Sequence, residues 1–458
     1  MRLLVQPGPP TGGVCAVSPV CHGTDATGLP TLGSVTAAAV TTPDAVTPAV
    51  STVALPDSPA LLGLLPAAGA LSWVRRGEGL VGWGEADRLE VSGPGALTEA
   101  AAWWADRSAA LAVDDAVGVP GSGPVVFASI AFDPVAGTSV FVVPEVVVGR
   151  RDGVAWVTTS GDVDPRDVLA AAPAVLPPAP GRLRYADGAL DPASWCGAVD
   201  EAVRRIDDGD LAKVVLARDL LVTADVPLDA RRLLARLAAR FPDCWTFAVD
   251  GLLGATPELL LRRTGRRLSA RVLAGTAPRG AGAEDERLAA GLLASAKDLA
   301  EHRLAVESLV RALDPYCTAL SVPEGPSLLT LPNVRHLASD VTGTQRRSGR
   351  GGRAGLLELV DAVHPTAAVC GTPPDVAAGV ITELEGLDRG RYAGPVGWLD
   401  ARGDGEFGLA LRCAQLGEED PCTARLFAGC GIVAGSDPAA ELAETQSKFA
   451  AFQAALED

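Results

Sequence analysis

The 458-residue sequence predicts an α+β fold around a mixed or antiparallel sheet core. Three observations carry this prediction. Short runs rich in valine, isoleucine and aromatic residues are bounded by turn residues, amphipathic helical stretches lie irregularly among them, and no internal repeat is present.

Residues 1–55 are rich in Ala, Thr, Val, Pro and Gly, nearly free of charge and without a sustained period, and are expected to form a disordered extension. Runs at 71–75, 125–132 and 140–148 read as strands, so residues 56–182 form a strand-rich N-terminal part that ends in a Pro-rich connector, 171–182. The remainder, 190–458, is mixed. Asp191-Pro192 caps a helix whose buried stripe is Trp195, Val199, Val203 and Ile206, and Gly209 ends it. A strand at 211–218 follows, then a helix on Leu233, Leu234 and Leu237 that stops at Pro242. Strands are expected at 245–249, 259–262 and 268–273, one long helix at 284–313, a hairpin from 396–399 and 407–412, and a last helix opened by Asp437-Pro438.

With 39 basic against 56 acidic residues the net charge is −17, which excludes a diffuse basic surface for nucleic acid or anionic lipid. Nine scattered cysteines without a C-x-x-C pair read as reduced thiols. Prolines interrupt the N-terminal apolar run before it reaches the length of a signal core, and no stretch of about 18 apolar residues exists, so a cytoplasmic protein is expected.

Only three of the 39 basic residues are lysine: Lys213, Lys297 and Lys448. Arginine stays charged, whereas a desolvated lysine can act as a general base. Lys213, in an apolar strand, reads either as such a base or as a charge that blunts a sheet edge. Lys297 with Glu301 and Glu444 with Lys448 stand four apart, the spacing of solvated helix pairs. Glu441 and Glu444 lie on adjacent turns of the last helix. With Glu301 from another helix they would suit a hard divalent cation, Mg²⁺ being the natural choice. Gly429 and Gly431 follow a strand expected to end at 428, and their amides suit an anion-binding nest rather than a dinucleotide turn, because no second strand follows. His302 shares a stripe with Leu299, Val306 and Leu309 and reads as a core residue, while for His336 core and site readings stand level.

The ordered motifs Lys213-Val-Val-Leu-Ala-Arg218, Gly254-Ala-Thr-Pro-Glu258, Leu273-Ala-Gly-Thr276, Ser295-Ala-Lys-Asp-Leu-Ala-Glu-His302 and Val334-Arg-His-Leu337 closely resemble the chorismate-utilising enzymes. Arg391-Tyr-Ala-Gly-Pro-Val-Gly-Trp398, Leu411-Arg412, Ala428-Gly-Cys-Gly-Ile-Val433 and Ser436-Asp-Pro-Ala-Ala-Glu441-Leu-Ala-Glu444 continue the series. The resemblance implies two packed sheets surrounded by helices, with the first half in the same globule, and it implies chorismate and Mg²⁺. A lysine at 213 resembles the members that add water to the ring, where ammonia-using members carry glutamine. The implied reaction is therefore chorismate to isochorismate. Lys213 would be the base and a protonated Glu258 the acid. Glu301, Glu444 and, through water, Glu441 would hold the metal. Arg412 and the Gly429 and Gly431 amides would bind the enolpyruvyl carboxylate, with Gly275, Thr276, His336 and Tyr392 lining the cavity and Lys448 steadying the metal carboxylates. Ala367 and Cys430 depart from the family pattern. A salicylate synthase, which goes on to eliminate pyruvate, is the near alternative, and an anthranilate or aminodeoxychorismate synthase component the further one. Menaquinone is the favoured destination over a siderophore, and a monomer without a glutaminase subunit is expected.

Overall fold

A computed structural model describes residues 49–457 except 58, 162, 164–176 and 348–352. In chain order the elements are β1 (Ala49–Ala54), β2 (Leu71–Arg75), β3 (Glu78–Trp83), β4 (Asp87–Val91), α1 (Ala96–Ala109), β5 (Ala112–Asp115), β6 (Val125–Ser129), β7 (Ser139–Val143), β8 (Val146–Arg151), β9 (Val154–Ser160) and β10 (Leu183–Asp187). There follow α2 (Pro192–Asp207), β11 (Lys213–Ala224), α3 (Ala230–Arg240), β12 (Trp245–Val249), β13 (Leu252–Thr256), β14 (Leu259–Thr264), β15 (Arg267–Pro278), α4 (Ala283–Ala294), α5 (Ala296–Leu313), β16 (Cys317–Ser321), β17 (Ser327–Thr330) and β18 (Val334–Gln345). The chain closes with α6 (Leu356–Val363), β19 (Gly371–Thr372), α7 (Pro374–Glu385), β20 (Pro395–Asp400), β21 (Gly405–Leu409), β22 (Cys413–Leu416), β23 (Thr423–Ile432) and α8 (Pro438–Glu457).

The strands form two sheets, as expected. One runs β10-β11-β23-β22-β13-β12-β2-β3-β8-β9-β1-β5 with β19 on β11, and the other β16-β18-β15-β14-β21-β20-β6-β7-β4 with β17 on β18. Both draw strands from the two halves of the chain, and the described residues pack as one compact unit. The core between the sheets is apolar and includes Trp73, Phe127, Phe247, Trp398 and Phe407, while α3 and α8 cover the outer face of the first sheet through Leu233, Leu237, Phe449 and Phe452. No helix among the described residues is long and apolar enough to cross a membrane. The seven described cysteines are all free.

Three sequence expectations are corrected. Residues 49–54, placed in the extension, form β1, which pairs antiparallel with β9 and parallel with β5; a strand this short and uncharged shows no period until its partners are known. Residues 1–48 of that expectation lie outside the described residues. The single helix at 284–313 is two, because Ser295 leaves the helical region and its side chain accepts a hydrogen bond from the Asp298 amide, capping α5. The strand expected to stop at 428 continues to Ile432, so Gly429 and Gly431 are strand residues, not a nest.

Candidate active site

The two sheets meet around a narrow cavity, with about 60 Å³ of free space. From the second sheet come Glu258, just before β14, Gly275 and Thr276 on β15, and His336 on β18; from the first come Gly429 and Gly431 on β23. Glu301 on α5, Glu444 and Lys448 on α8, and Tyr392 and Arg412 on irregular segments complete the predicted set that lines it.

Glu258 is buried, and burial pushes its carboxyl up to about 7, against weaker opposing effects of the Leu273 amide and the Lys213 and Arg412 charges. Such a group holds its proton near neutrality and can donate it.

Lys213 is 1% exposed and lies behind the cavity wall. Its Nζ is 3.0 Å from Glu301. The pair fits because Gly431 has no side chain: a Cβ there would stand 2.2 Å from Glu301 Oε1 and 2.9 Å from Lys213 Cε. On the same strand, Lys448 Nζ donates to the Gly429 carbonyl at 2.8 Å, on the side away from β11. The facing residues Val215 and Ala217 send their own amides to Cys370 O and to Glu385, also away from β23. The Gly429 and Gly431 N–H groups therefore look toward the cavity, an anion-facing edge reached by strand register.

Arg412 sits at φ 49°, a backbone conformation that side chains rarely adopt, and its Nη2 is 3.0 Å from His336 Nε2. A guanidinium can only donate, so Nε2 accepts and the His336 proton belongs on Nδ1, 3.1 Å from Thr276 Oγ1. Burial, together with the Arg412 and Lys448 charges, holds His336 well below the usual histidine range, so it is neutral. Thr276 in turn bonds Glu444. Burial opposes ionisation of Glu444, yet Lys448 at 2.6 Å, with Arg412 and Thr276, brings it below the ordinary carboxylate range.

All three lysines thus face glutamates, but one pairing differs from expectation. Lys297 turns from Glu301 to Glu441 across to α8, at 2.7 Å, and Glu441 faces it rather than the cavity. Lys297 lies in the first turn of α5, which begins after Ser295, and Glu441 in the first turn of α8, so the pair joins the two helix starts. His302 is a core residue, bonded to Ala274 O and Ser339.

Among the described residues no three His, Cys, Asp or Glu side chains converge as a closed metal cage. The donors at the cavity are the carboxylates of Glu301 and Glu444, all-oxygen and each within 3.0 Å of a lysine Nζ. That chemistry fits a hard cation held by one or two carboxylates and otherwise by water and ligand oxygens, as Mg²⁺ is.

Sequence reasoning missed Asp298, whose carboxyl is raised by burial and by the Glu301 and Glu444 charges. Its signal was the i, i+3 spacing to Glu301, which repeats that of Glu441 and Glu444. It also missed Arg389, which lines the cavity while bonded to Glu385, Val369 O and Val215 O.

Residues 71–457 match the chorismate binding enzyme family. The isochorismate synthase DhbC of Bacillus subtilis is 42% identical over 271 residues, 57% of this chain and 66% of that protein. A putative isochorismate synthase MenF of Mycobacterium tuberculosis is 40% identical over 348 residues, 73% of this chain and 87% of the relative. The solved menaquinone-specific isochorismate synthase MenF of Escherichia coli superposes with a TM-score of 0.72 at 26% identity, covering 90% of this chain and 95% of that one. With the family matched along most of its length and the two-sheet fold shared, the chain belongs to the chorismate binding enzymes.

Proposed function

We propose that this protein is an isochorismate synthase, isomerising chorismate by adding water at C2 as the C4 hydroxyl leaves. The observation that carries the reading is a buried lysine behind the cavity wall, 3.0 Å from the cavity-lining Glu301, together with a neutral-range carboxyl, Glu258, in the lining itself. Lys213 takes a proton from the attacking water. Both ring double bonds shift by one position toward C4, and Glu258 gives its proton to the departing hydroxyl, which leaves as water, so substrate and product are isomers. Arg412 exchanges His336 for the enolpyruvyl carboxylate, alongside the Gly429 and Gly431 amides. Thr276 and His336 orient Glu444, Tyr392 and Gly275 shape the wall, and Lys448 holds Glu444 and β23 together. Glu301 and Glu444 would hold Mg²⁺, with Glu441 acting only through Lys297 and water; the bound cation would supply positive charge for the ring carboxylate in an acidic protein.

The similar solved structures include a 2,3-dihydroxybenzoate-specific and a menaquinone-specific isochorismate synthase alike; we propose menaquinone as the destination because nothing in the sequence suggests a carrier-protein partner, and we propose a cytoplasmic monomer without a glutaminase subunit. The test is purified protein with chorismate and Mg²⁺, products separated chromatographically. Isochorismate is expected, with no ammonia dependence. Stoichiometric pyruvate would make it a salicylate synthase, and an aminated product would remove the water-adding assignment.

A further inference from the structure

A second recess, of about 310 Å³, opens among β2, β3, β8, β12, β14 and β21. Five arginines enter it in a chain whose net charge is −17: Arg75, Arg76, Arg150, Arg151 and Arg262. The buried carboxylate at its floor, Glu406, is already engaged, taking Arg151 at 2.8 Å, Arg262 at 2.9 Å and the Trp73 indole N–H at 3.0 Å. Arg76 donates to the Asp243 carboxylate at 2.6 Å, and Glu78 accepts the Asp152 amide. Two cations remain. Arg75 has no carboxylate ion pair among the described residues; it donates to the Asp243 backbone carbonyl and lies 4.3 Å over the Trp245 ring. Arg150 has no ion pair among the described residues, and its Nε is buried without a hydrogen-bond partner, as is that of Arg262. Burial and the neighbouring Arg271, Arg76 and Arg262 charges lower the Arg75 pKa, the mark of like charges crowded together.

A buried guanidinium N–H left unmet is costly, and several forked donors facing one recess match the geometry of carboxylate and phosphate oxygens. The stacked Trp73 and Trp245, 6.1 Å apart, make one wall rigid. We propose that this recess is a binding site for a small multivalent oxyanion, a metabolite bearing carboxylates or phosphates, with Arg75 and Arg150 as its main contacts. It is separate from the chorismate cavity but structurally joined to it. Arg262 and Glu406 are register partners on β14 and β21, and Gly408 is wedged between the Trp73 ring and the Glu258 carbonyl, where a Cβ would stand 2.8 and 2.7 Å away.

The test is calorimetric titration of the full chain, free of Mg²⁺ and chorismate, with citrate and separately with inorganic pyrophosphate, against sodium chloride at matched ionic strength. Saturable binding of either below about 1 mM is expected, and the arm that binds more tightly identifies the class. Arg150→Gln and Arg75→Gln should each weaken it about tenfold or more while thermal unfolding remains cooperative; if one variant does not fold, the other decides. No saturable heat up to about 10 mM would overturn the proposal. Binding that survives both substitutions and is lost in Arg412→Gln would also overturn it, by placing the anion in the chorismate cavity.

Discussion

In the proposed mechanism two residues carry the chemistry, and each can be tested on its own. Glu258 titrates near 7 in the folded chain against the ordinary 4.5. Between those values the unfolded state gives up its proton first, so this group's contribution to stability is fully present below about 4.5 and is lost as pH rises through 7. Glu258→Gln should therefore unfold like the parent at pH 4 and be more stable at pH 8, by up to about 3 kcal/mol in denaturant titrations. The same ionisation should make kcat/KM fall above about pH 7 in the parent enzyme; a flat alkaline limb would remove Glu258 as the acid. Lys213→Ala should leave chorismate binding within a few-fold, by fluorescence titration, and cut turnover by about 10³ or more. Appreciable remaining activity would leave Lys213 a structural cation.

At the level of elements, the site depends on how closely one strand and two helices approach. The glycines of β23 let α5 bring Glu301 against Lys213, and Lys297 to Glu441 ties the first turns of α5 and α8. Gly431→Ala places a methyl where the Glu301 carboxylate now stands and is expected to displace it. Mg²⁺-dependent thermal shift should then require about tenfold more metal, starting from a lower melting temperature of the metal-free protein because the buried Lys213 loses its partner. Unchanged Mg²⁺ dependence would take Glu301 out of the proposed metal site. This packing also explains what the sequence showed and what it hid. Asp191-Pro192, the stripe of Trp195 and Val199, and the strand at 245–249 were visible because caps and periods are local. Ser295 was read through as helix interior because a serine that caps α5 and one that points to solvent mid-helix look alike in sequence. The Lys297–Glu441 pair spans 144 residues, and a pairing of that separation has no period to announce it.

Over the whole molecule, the fold class and the cavity set were legible because the cavity-lining side chains sit in ordered motifs, whereas the sheet order, with β1 joining β9 to β5, follows from long-range pairing alone. The net charge of −17 surrounds a site meant for a dianion. Steering should thus be adverse: raising salt from about 10 to 150 mM shortens the Debye length from about 30 to 8 Å and should raise kcat/KM about two- to fivefold at constant free Mg²⁺. A fall with salt would mean that local cations govern approach instead. The concentration of lysine in the site has a practical corollary. Side-chain exposures of 39% for Lys297, 10% for Lys448 and 1% for Lys213 leave one readily reachable ε-amine. Acylation of lysine side chains by an amine-directed reagent, mapped by peptide so that the α-amine is counted apart, would therefore act as a footprint of a single junction, the meeting of α5 and α8, and protection there would report cation or ligand occupancy without any assay of turnover.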